Sequence, residues 1–237
     1  WQIETNQALF CVAKFADIKV SVSKWLRDYL LKKHNISSIY IPNCVDYDKC
    51  QLADGNRFFK RFKLKNFILF ASKLDYVKNP LEFVKLSAMI PDEQFVMIGS
   101  SITKEALEAL YHNKLPFNLH IVSSYLEHND LLDAIAASKV FIMTSRIEGL
   151  PTALLEAMAL AKPVVASRVN GCEELLDNEK YGYLYELGDL EDLKQKTQSA
   201  LVNFDIGLKA KSHVKKHFDW KVVAPQIDKI YTNLKHD

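Results

Sequence analysis

From residue 67 onward, short unbroken apolar runs take turns with segments whose apolar positions recur every three or four residues. The runs fall at 67–71, 95–98, 119–122, 140–144 and 164–166, and none of them alternates apolar with polar. Strands of that kind are covered on both faces, as in a parallel sheet with helices packed above and below it. Helical periodicity falls at 80–89, 103–111, 129–138, 151–160 and 189–203. The expected fold class is α/β, a parallel sheet with helices on both faces. Upstream, 4–16 and 22–34 read as helices around a strand at 18–22, with Ser21 or Ser23 capping the second helix on the side where Trp25, Leu26, Tyr29 and Leu30 share a face. A further strand at 38–41 ends at Pro42-Asn43. At the far end, Phe218-Asp219-Trp220 leads into a helix carrying Val223, Ile227, Ile230 and Tyr231.

The segment that organises the chain is 139–176, KVFIMTSRIEGLPTALLEAMALAKPVVASRVNGCEELL. It reads as one βαβ unit: a buried strand, a turn at Glu148-Gly149, a helix opening at Pro151, and a second buried strand at 163–166. The helix carries Ala153, Leu154, Leu155, Ala157, Met158, Ala159 and Leu160, so it is apolar almost all round and should be covered on every side. Glu156 sits in its middle. A carboxylate there needs a buried cation, hydrogen-bond donors, or a ligand that brings donors. With Pro151 at the first helical position, the amides of Thr152 and its neighbours are free to point outward. A helix N-terminus at the carboxyl end of a parallel strand is where α/β sheets bind phosphate. One element thus offers an anion site at its mouth and a hydroxyl-accepting carboxylate one to two turns inside.

Composition narrows the classes. Hydrophobic residues make up 49% of the 237 and charged ones 25%, enough for a substantial core. A formal net charge of +2 argues against a nucleic-acid partner, although it leaves room for a local basic cleft. Cys11, Cys44, Cys50 and Cys172 are scattered without a C-x-x-C, which points to neither a zinc site nor a disulfide scaffold and fits a reducing, cytoplasmic setting. No apolar run is long enough to span a bilayer, so membrane contact is limited to a peripheral kind at the inner face. No G-x-G-x-x-G is present, which argues against a nicotinamide cofactor. His213 and His217 are four apart but lie among Lys211, Lys215 and Lys216 with no carboxylate at ligand spacing. A solvated face is expected there, with contact to anionic lipid as the alternative.

Glu148 and Glu156 with seven residues between them, the LLEAMA run, the Lys162–Ala166 strand entry and the Asn170-Gly171 turn before Glu174-Leu175-Leu176 together resemble the signature of the retaining glycosyltransferases of family 4. Their GT-B fold sets two Rossmann-like domains around a nucleotide-sugar. The resemblance implies a Rossmann-like domain here. It also implies transfer of a glycosyl group, with retention of configuration, from a nucleotide diphosphate sugar to a glycan, a lipid-linked glycan or another hydroxyl, as in polysaccharide biosynthesis. Neither metal nor cofactor is implied. Ser72-Lys73-Leu74-Asp75-Tyr76-Val77-Lys78 resembles the family's GR-L-x-x-x-K segment, which gives the diphosphate to Lys73 and Lys78. Lysine in place of arginine at 73 keeps the charge but loses the planar fork. Glu148 corresponds to the acid beside the donor sugar and Glu156 to the one on the ribose hydroxyls. Read from the residues alone, Glu148 could instead cap the helix mouth, and Glu156 could pair with Arg146 or Arg168. Gly149, Leu150 and Thr152 would give backbone amides to phosphate or sugar, Pro151 having none. The base would lie against Ser124 and Tyr125, and Gly99 matches a strand-end glycine whose successor is here Ser101.

The turn Ile41-Pro42-Asn43-Cys44-Val45-Asp46 resembles an IPNGVD turn at the crossing between the two domains. Cys44 stands where the family has glycine, and a positive φ there would cost roughly 1 kcal/mol. The resemblance divides the chain into 1–45, the tail of the acceptor-side domain and the crossing; 46–217, the nucleotide-sugar domain; and 218–237, a helix packing back across the junction. Only about forty residues precede the turn where the family carries a whole domain. A donor-binding half is therefore expected, completed by that domain or by an oligomer partner. The rival readings are a non-catalytic nucleotide-sugar-binding or regulatory module, and a GT-B epimerase or hydrolase of nucleotide-sugars.

Overall fold

The computed structural model describes residues 6–99, 103–124 and 126–234; Ser101 and Tyr125, which the resemblance gives roles, lie outside them. The first elements are α1 (Gln7–Phe15), β1 (Val20–Ser21), α2 (Lys24–His34) and β2 (Ile39–Tyr40), the two strands pairing in parallel. Two short helices follow, α3 (Tyr47–Cys50) and α4 (Gly55–Phe62). The alternation then runs β3 (Ile68–Ala71), α5 (Pro80–Met89), β4 (Phe95–Ile98), α6 (Lys104–Tyr111), β5 (Leu119–Val122), α7 (His128–Ala137), β6 (Val140–Met143) and α8 (Thr152–Ala159). It closes with β7 (Val164–Ser167), α9 (Asn170–Leu176), β8 (Tyr183–Tyr185), α10 (Leu190–Val202), α11 (Asp205–His217) and α12 (Trp220–Leu234).

β3 to β8 form one six-stranded parallel sheet in the order β5-β4-β3-β6-β7-β8. The chain winds outward from β3 to β5, then returns to the other side of β3 with β6. The crevice outside such a reversal is where open α/β sheets hold ligands. The absence of alternation in the strands has its cause here. Leu69, Val96, Phe141 and Val164 face one apolar cluster, shared with α4, α7, α8, α9 and α11; Ile68, Phe70, Met97, Ile142 and Val165 face another, shared with α5, α6 and α10. Both faces are buried, so the central strands β3, β4 and β6 are apolar at every position.

Several expectations are corrected. Asn170-Gly171 is not a turn but the first two residues of α9, and α3, α4, α11 and β8 join the elements that periodicity predicts. Cys44 is not among the residues with positive φ, so the strain considered for it does not arise. Ser23 caps α2, its hydroxyl accepting from the Leu26 amide at 3.2 Å. The Glu174 carboxylate accepts from the Lys24 and Trp25 amides of the same helix end at 3.0 and 3.1 Å. Of the expected face of α2 only Leu30 is buried, while Trp25 stacks on Tyr29 near the surface. At the other end, Val45 pairs with Asp219, and Val45 and Trp220 exchange backbone bonds with Phe218 and Val45 at 2.9 Å. Val223 is buried there, whereas Ile227 and Tyr231 are exposed, so α12 is anchored through its first turn. No described helix is long and apolar enough to cross a membrane.

His213 does not lie on a solvated face. It is half-buried, with its ring stacked on Tyr181 at 3.9 Å and against His217 and Phe218. Burial, and then the neighbouring His217, push its pKa down to about 4 from the ordinary 6.5; Lys180 and Lys216 act in the same direction and Asp177 opposes them. The unfolded chain takes up this proton near 6.5 and the folded chain does not, so stability falls as pH drops from about 6.5 to about 4. His213→Phe keeps a stacked ring and is expected to flatten that decline. Urea unfolding of both chains at pH 7 and pH 4.5 checks this, and an undiminished pH dependence in the variant would refute it.

Candidate functional site

The chain leaves β6 over the carboxyl edge of the sheet and is stitched at once to the loop that follows β3. The Thr144 hydroxyl reaches the carbonyls of Lys78 and Asn79, each at 2.9 Å, and the Arg146 amide donates to the Val77 carbonyl at 2.7 Å. The Arg146 guanidinium donates to Asn79 Oδ1 and lies over the Tyr76 ring. Asp75 accepts from the Lys78 amide, which turns the loop back toward β6. With both loops fixed, Lys78 Nζ donates to Glu148 Oε1 at 2.7 Å; the lysine side chain is 28% exposed and the carboxylate 10%.

Glu148 is backed by α9. The Gly171 amide donates to the Glu148 carbonyl at 3.3 Å, and a Cβ at Gly171 would lie 2.0 Å from the Gly149 carbonyl oxygen. Only glycine allows so close an approach of helix and loop. From the other side, Asn43 Nδ2 donates to the Leu150 carbonyl at 2.7 Å. The resulting cleft, about 280 Å³, is lined by Ser72 and Lys78 from the β3 loop, Glu148 and Gly149 from the β6 loop, and Pro151, Thr152 and Ala153 at the mouth of α8. Larger concavities lie between α4 and α7 and along β5, but this one sits at the sheet reversal.

α8 differs in detail from the sequence reading. Pro151 is its N-cap, with φ −76° and ψ 118°, rather than its first helical residue, and no side chain caps the end. The first-turn amides from Thr152 onward therefore have no side-chain acceptor, which leaves them available to an anion. Leu154, Leu155, Ala157, Met158 and Ala159 are all buried, as an all-round apolar helix requires. Glu156, 13% exposed, does not pair with an arginine. Arg146 is engaged with Asn79 and Arg168 with Glu186. Its Oε1 lies 2.6 Å from His128 Nε2, and His128 Nδ1 lies 3.1 Å from Lys49 Nζ.

The structure thus brings Lys78, Glu148, Gly149, Leu150 and Thr152 to one cleft. Glu156 lies on the face of α8 turned toward α7 and does not line it. Lys73 is exposed, makes no side-chain bond to the described residues and does not line the cleft; Ser124 is exposed and lies outside it. Among the described residues, no group of three or more His, Cys, Asp or Glu is arranged to hold a metal ion.

A sequence profile of the glycosyl transferases group 1 family matches residues 55–230, more than half of the chain. The chain belongs to that family. Among its relatives, the UDP-Gal:alpha-D-GlcNAc-diphosphoundecaprenol alpha-1,3-galactosyltransferase of Escherichia coli is 31% identical over 162 residues, 64% of this chain and 42% of that protein. The sulfoquinovosyl transferase SQD2 of Arabidopsis thaliana is 31% identical over 159 residues, 64% of this chain and 30% of that protein. Among solved structures, sucrose-phosphate synthase from Thermosynechococcus elongatus superposes with a TM-score of 0.86 at 22% identity, over 98% of this chain and 62% of that one. Anabaena Alr3699/HepE, solved with UDP-glucose, superposes at 0.83 with 18% identity, over 98% and 67%. These likenesses are of fold, and the fold is that of GT-B glycosyltransferases. The group 1 chain spans less than half the length of the two relatives from Escherichia coli and Arabidopsis thaliana.

Within this group 1 domain, sequence reasoning missed His128 and Lys49. His128 is the first residue of α7, and nothing in its spacing connects it with a carboxylate on α8. It also missed Asn43, whose amide fixes the Leu150 carbonyl although the turn that carries it was recognised.

Proposed function

We propose that this chain is the donor-binding half of a retaining, metal-independent glycosyltransferase of family 4, and that its donor is a nucleoside diphosphate sugar. The observation that carries the reading is the meeting of Lys78, Glu148 and an uncapped helix mouth in one cleft at the sheet reversal. As the bond from sugar to phosphate lengthens, negative charge grows on the departing diphosphate and must be met by fixed positive charge. Lys78 and the first-turn amides of α8 supply it, with the exposed Lys73 reaching in when the donor is bound. The diphosphate then competes with Glu148 for Lys78, which frees a carboxylate oxygen for the donor-sugar hydroxyls. Glu156 accepts from the ribose hydroxyls, the base lies beside Ser124 and Tyr125, and Gly149, Leu150 and Thr152 border the sugar and phosphates.

In this mechanism the leaving diphosphate takes the proton of the acceptor hydroxyl on the face of the sugar it departs from, so configuration is retained. Residues 1–45 belong with the acceptor-side domain, which supplies the acceptor pocket. Relatives from Escherichia coli and Campylobacter jejuni are named for diphosphoundecaprenol-linked substrates, and a lipid-linked saccharide at a membrane surface is the acceptor class we favour. Titration calorimetry with UDP, GDP and ADP tests the donor half of the reading. One of them is expected to bind, and Lys78→Ala to weaken it by about tenfold or more, the worth of a charge-assisted contact. Glu156→Ala should weaken it as well; unchanged affinity in both variants overturns the assignment.

A further inference from the structure

The geometry points to His128 as a positioning residue for Glu156, held in turn by Lys49, and so as a determinant of ribose recognition. The inference rests on the reading that Glu156 receives the ribose. Three separate elements contribute: Lys49 from α3, His128 from the start of α7 and Glu156 from the middle of α8. An ammonium group can only donate, so the 3.1 Å contact of Lys49 Nζ makes His128 Nδ1 the acceptor. The ring proton is then on Nε2, where it is donated to Glu156 Oε1 at 2.6 Å. The relay fixes which ring nitrogen faces Glu156 and, through it, one orientation of the carboxylate.

What this achieves differs from an arginine pair. A guanidinium can engage both carboxylate oxygens in parallel and so occupies an acceptor position on each. His128 engages Oε1 alone, and Oε2 makes no hydrogen bond to a described residue. The carboxylate is therefore held through one oxygen while the other stays open to a hydroxyl. Cys50 lies close to it as a neutral neighbour, since burial and then the Glu156 charge push its thiol up to about 12. Glu156 is 13% exposed and His128 49%, so the relay closes one flank of the carboxylate and leaves a way in. Holding an acceptor in its bound orientation before the ligand arrives raises affinity by lowering the ordering cost of binding.

The test is a cycle between protein and ligand. The 237-residue chain, His128→Ala, His128→Gln, Lys49→Met and Glu156→Ala are titrated with whichever of UDP, GDP and ADP binds, and with its 2′-deoxy and 3′-deoxy forms. His128→Ala is expected to weaken the parent nucleotide by roughly two- to tenfold, the worth of one hydrogen bond, and to leave the affinity for the deoxy form that lacks the contact unchanged. His128→Gln, whose amide can still donate to Glu156, should restore most of the loss, and Lys49→Met should show part of it. If His128→Ala weakens parent and both deoxy nucleotides equally, or weakens none, the positioning role is wrong. If the unsubstituted chain does not distinguish the parent from either deoxy form, or binds none of the three diphosphates, the ribose reading itself fails. Discrimination that is lost in Glu156→Ala but kept in His128→Ala refutes the relay alone.

Discussion

Alanine at Gly171 is expected to disable the cleft proposed for the donor and to lower the stability of the whole domain. The added Cβ would stand 2.0 Å from the Gly149 carbonyl oxygen, 2.5 Å from its carbon and 3.1 Å from the Glu148 carbonyl oxygen. All three are backbone atoms, so no side-chain rotation relieves the overlap. Either α9 moves off the sheet, where Cys172, Leu175 and Leu176 are fully buried, or the 148–149 loop moves away from α9. Overpacking of this kind costs about 1–3 kcal/mol, and a helix so firmly buried argues for the upper end. The loop is the more yielding partner. Its displacement breaks the Gly171–Glu148 backbone bond and carries Glu148 out of reach of Lys78. Urea unfolding measures the first effect and nucleoside diphosphate titration the second. An alanine variant with unaltered stability and affinity would show that helix and loop are not in contact as described.

Lys78→Met should be almost as damaging, for two reasons that a second substitution separates. It strands Glu148, 10% exposed, without its partner, and breaking a buried pair costs about 3–5 kcal/mol. With Lys78 itself 28% exposed, the lower figure of about 3 kcal/mol is expected. Adding Glu148→Gln removes the stranded charge, so the double variant should regain most of that stability. It should not regain diphosphate binding, because the cation is still missing. Recovery of binding along with stability would mean that Lys78 serves Glu148 rather than the phosphates.

The parts of the fold that were legible were those where one local rule acts alone. The strands betrayed themselves by lacking alternation, since positions such as Leu69 and Phe70 are buried against opposite layers. α8 was legible because residues apolar on every side have only one place to go. α9 was not, because Asn170-Gly171 has the composition of a turn, and the glycine is there for a backbone contact with a loop more than twenty positions earlier. α4 was hidden for another reason: GNRFFKRF sets Phe58 and Phe62 four apart among basic residues, but eight residues are too few for a helical period to stand out from a loop. At the site, the linear pattern could nominate Lys78 and Glu148 separately but not their ion pair. It could state that Glu156 needs a partner, but it proposed arginines, where the fold supplies an imidazole from a helix whose sequence offers no hint of it.

The order of the strands also bears on when a ligand can first be held. Lys78 and Glu148 are 70 positions apart, and β6 joins β3 only after the chain has made β4 and β5 on the opposite flank. Contacts of such separation form late, since the intervening loop must be closed before they yield anything. A nascent chain has no cleft until α8 has been synthesised and seated, so a ligand of that cleft cannot template its folding. It acts on the finished sheet alone, protecting it against unfolding in proportion to the logarithm of ligand concentration once the site is saturated.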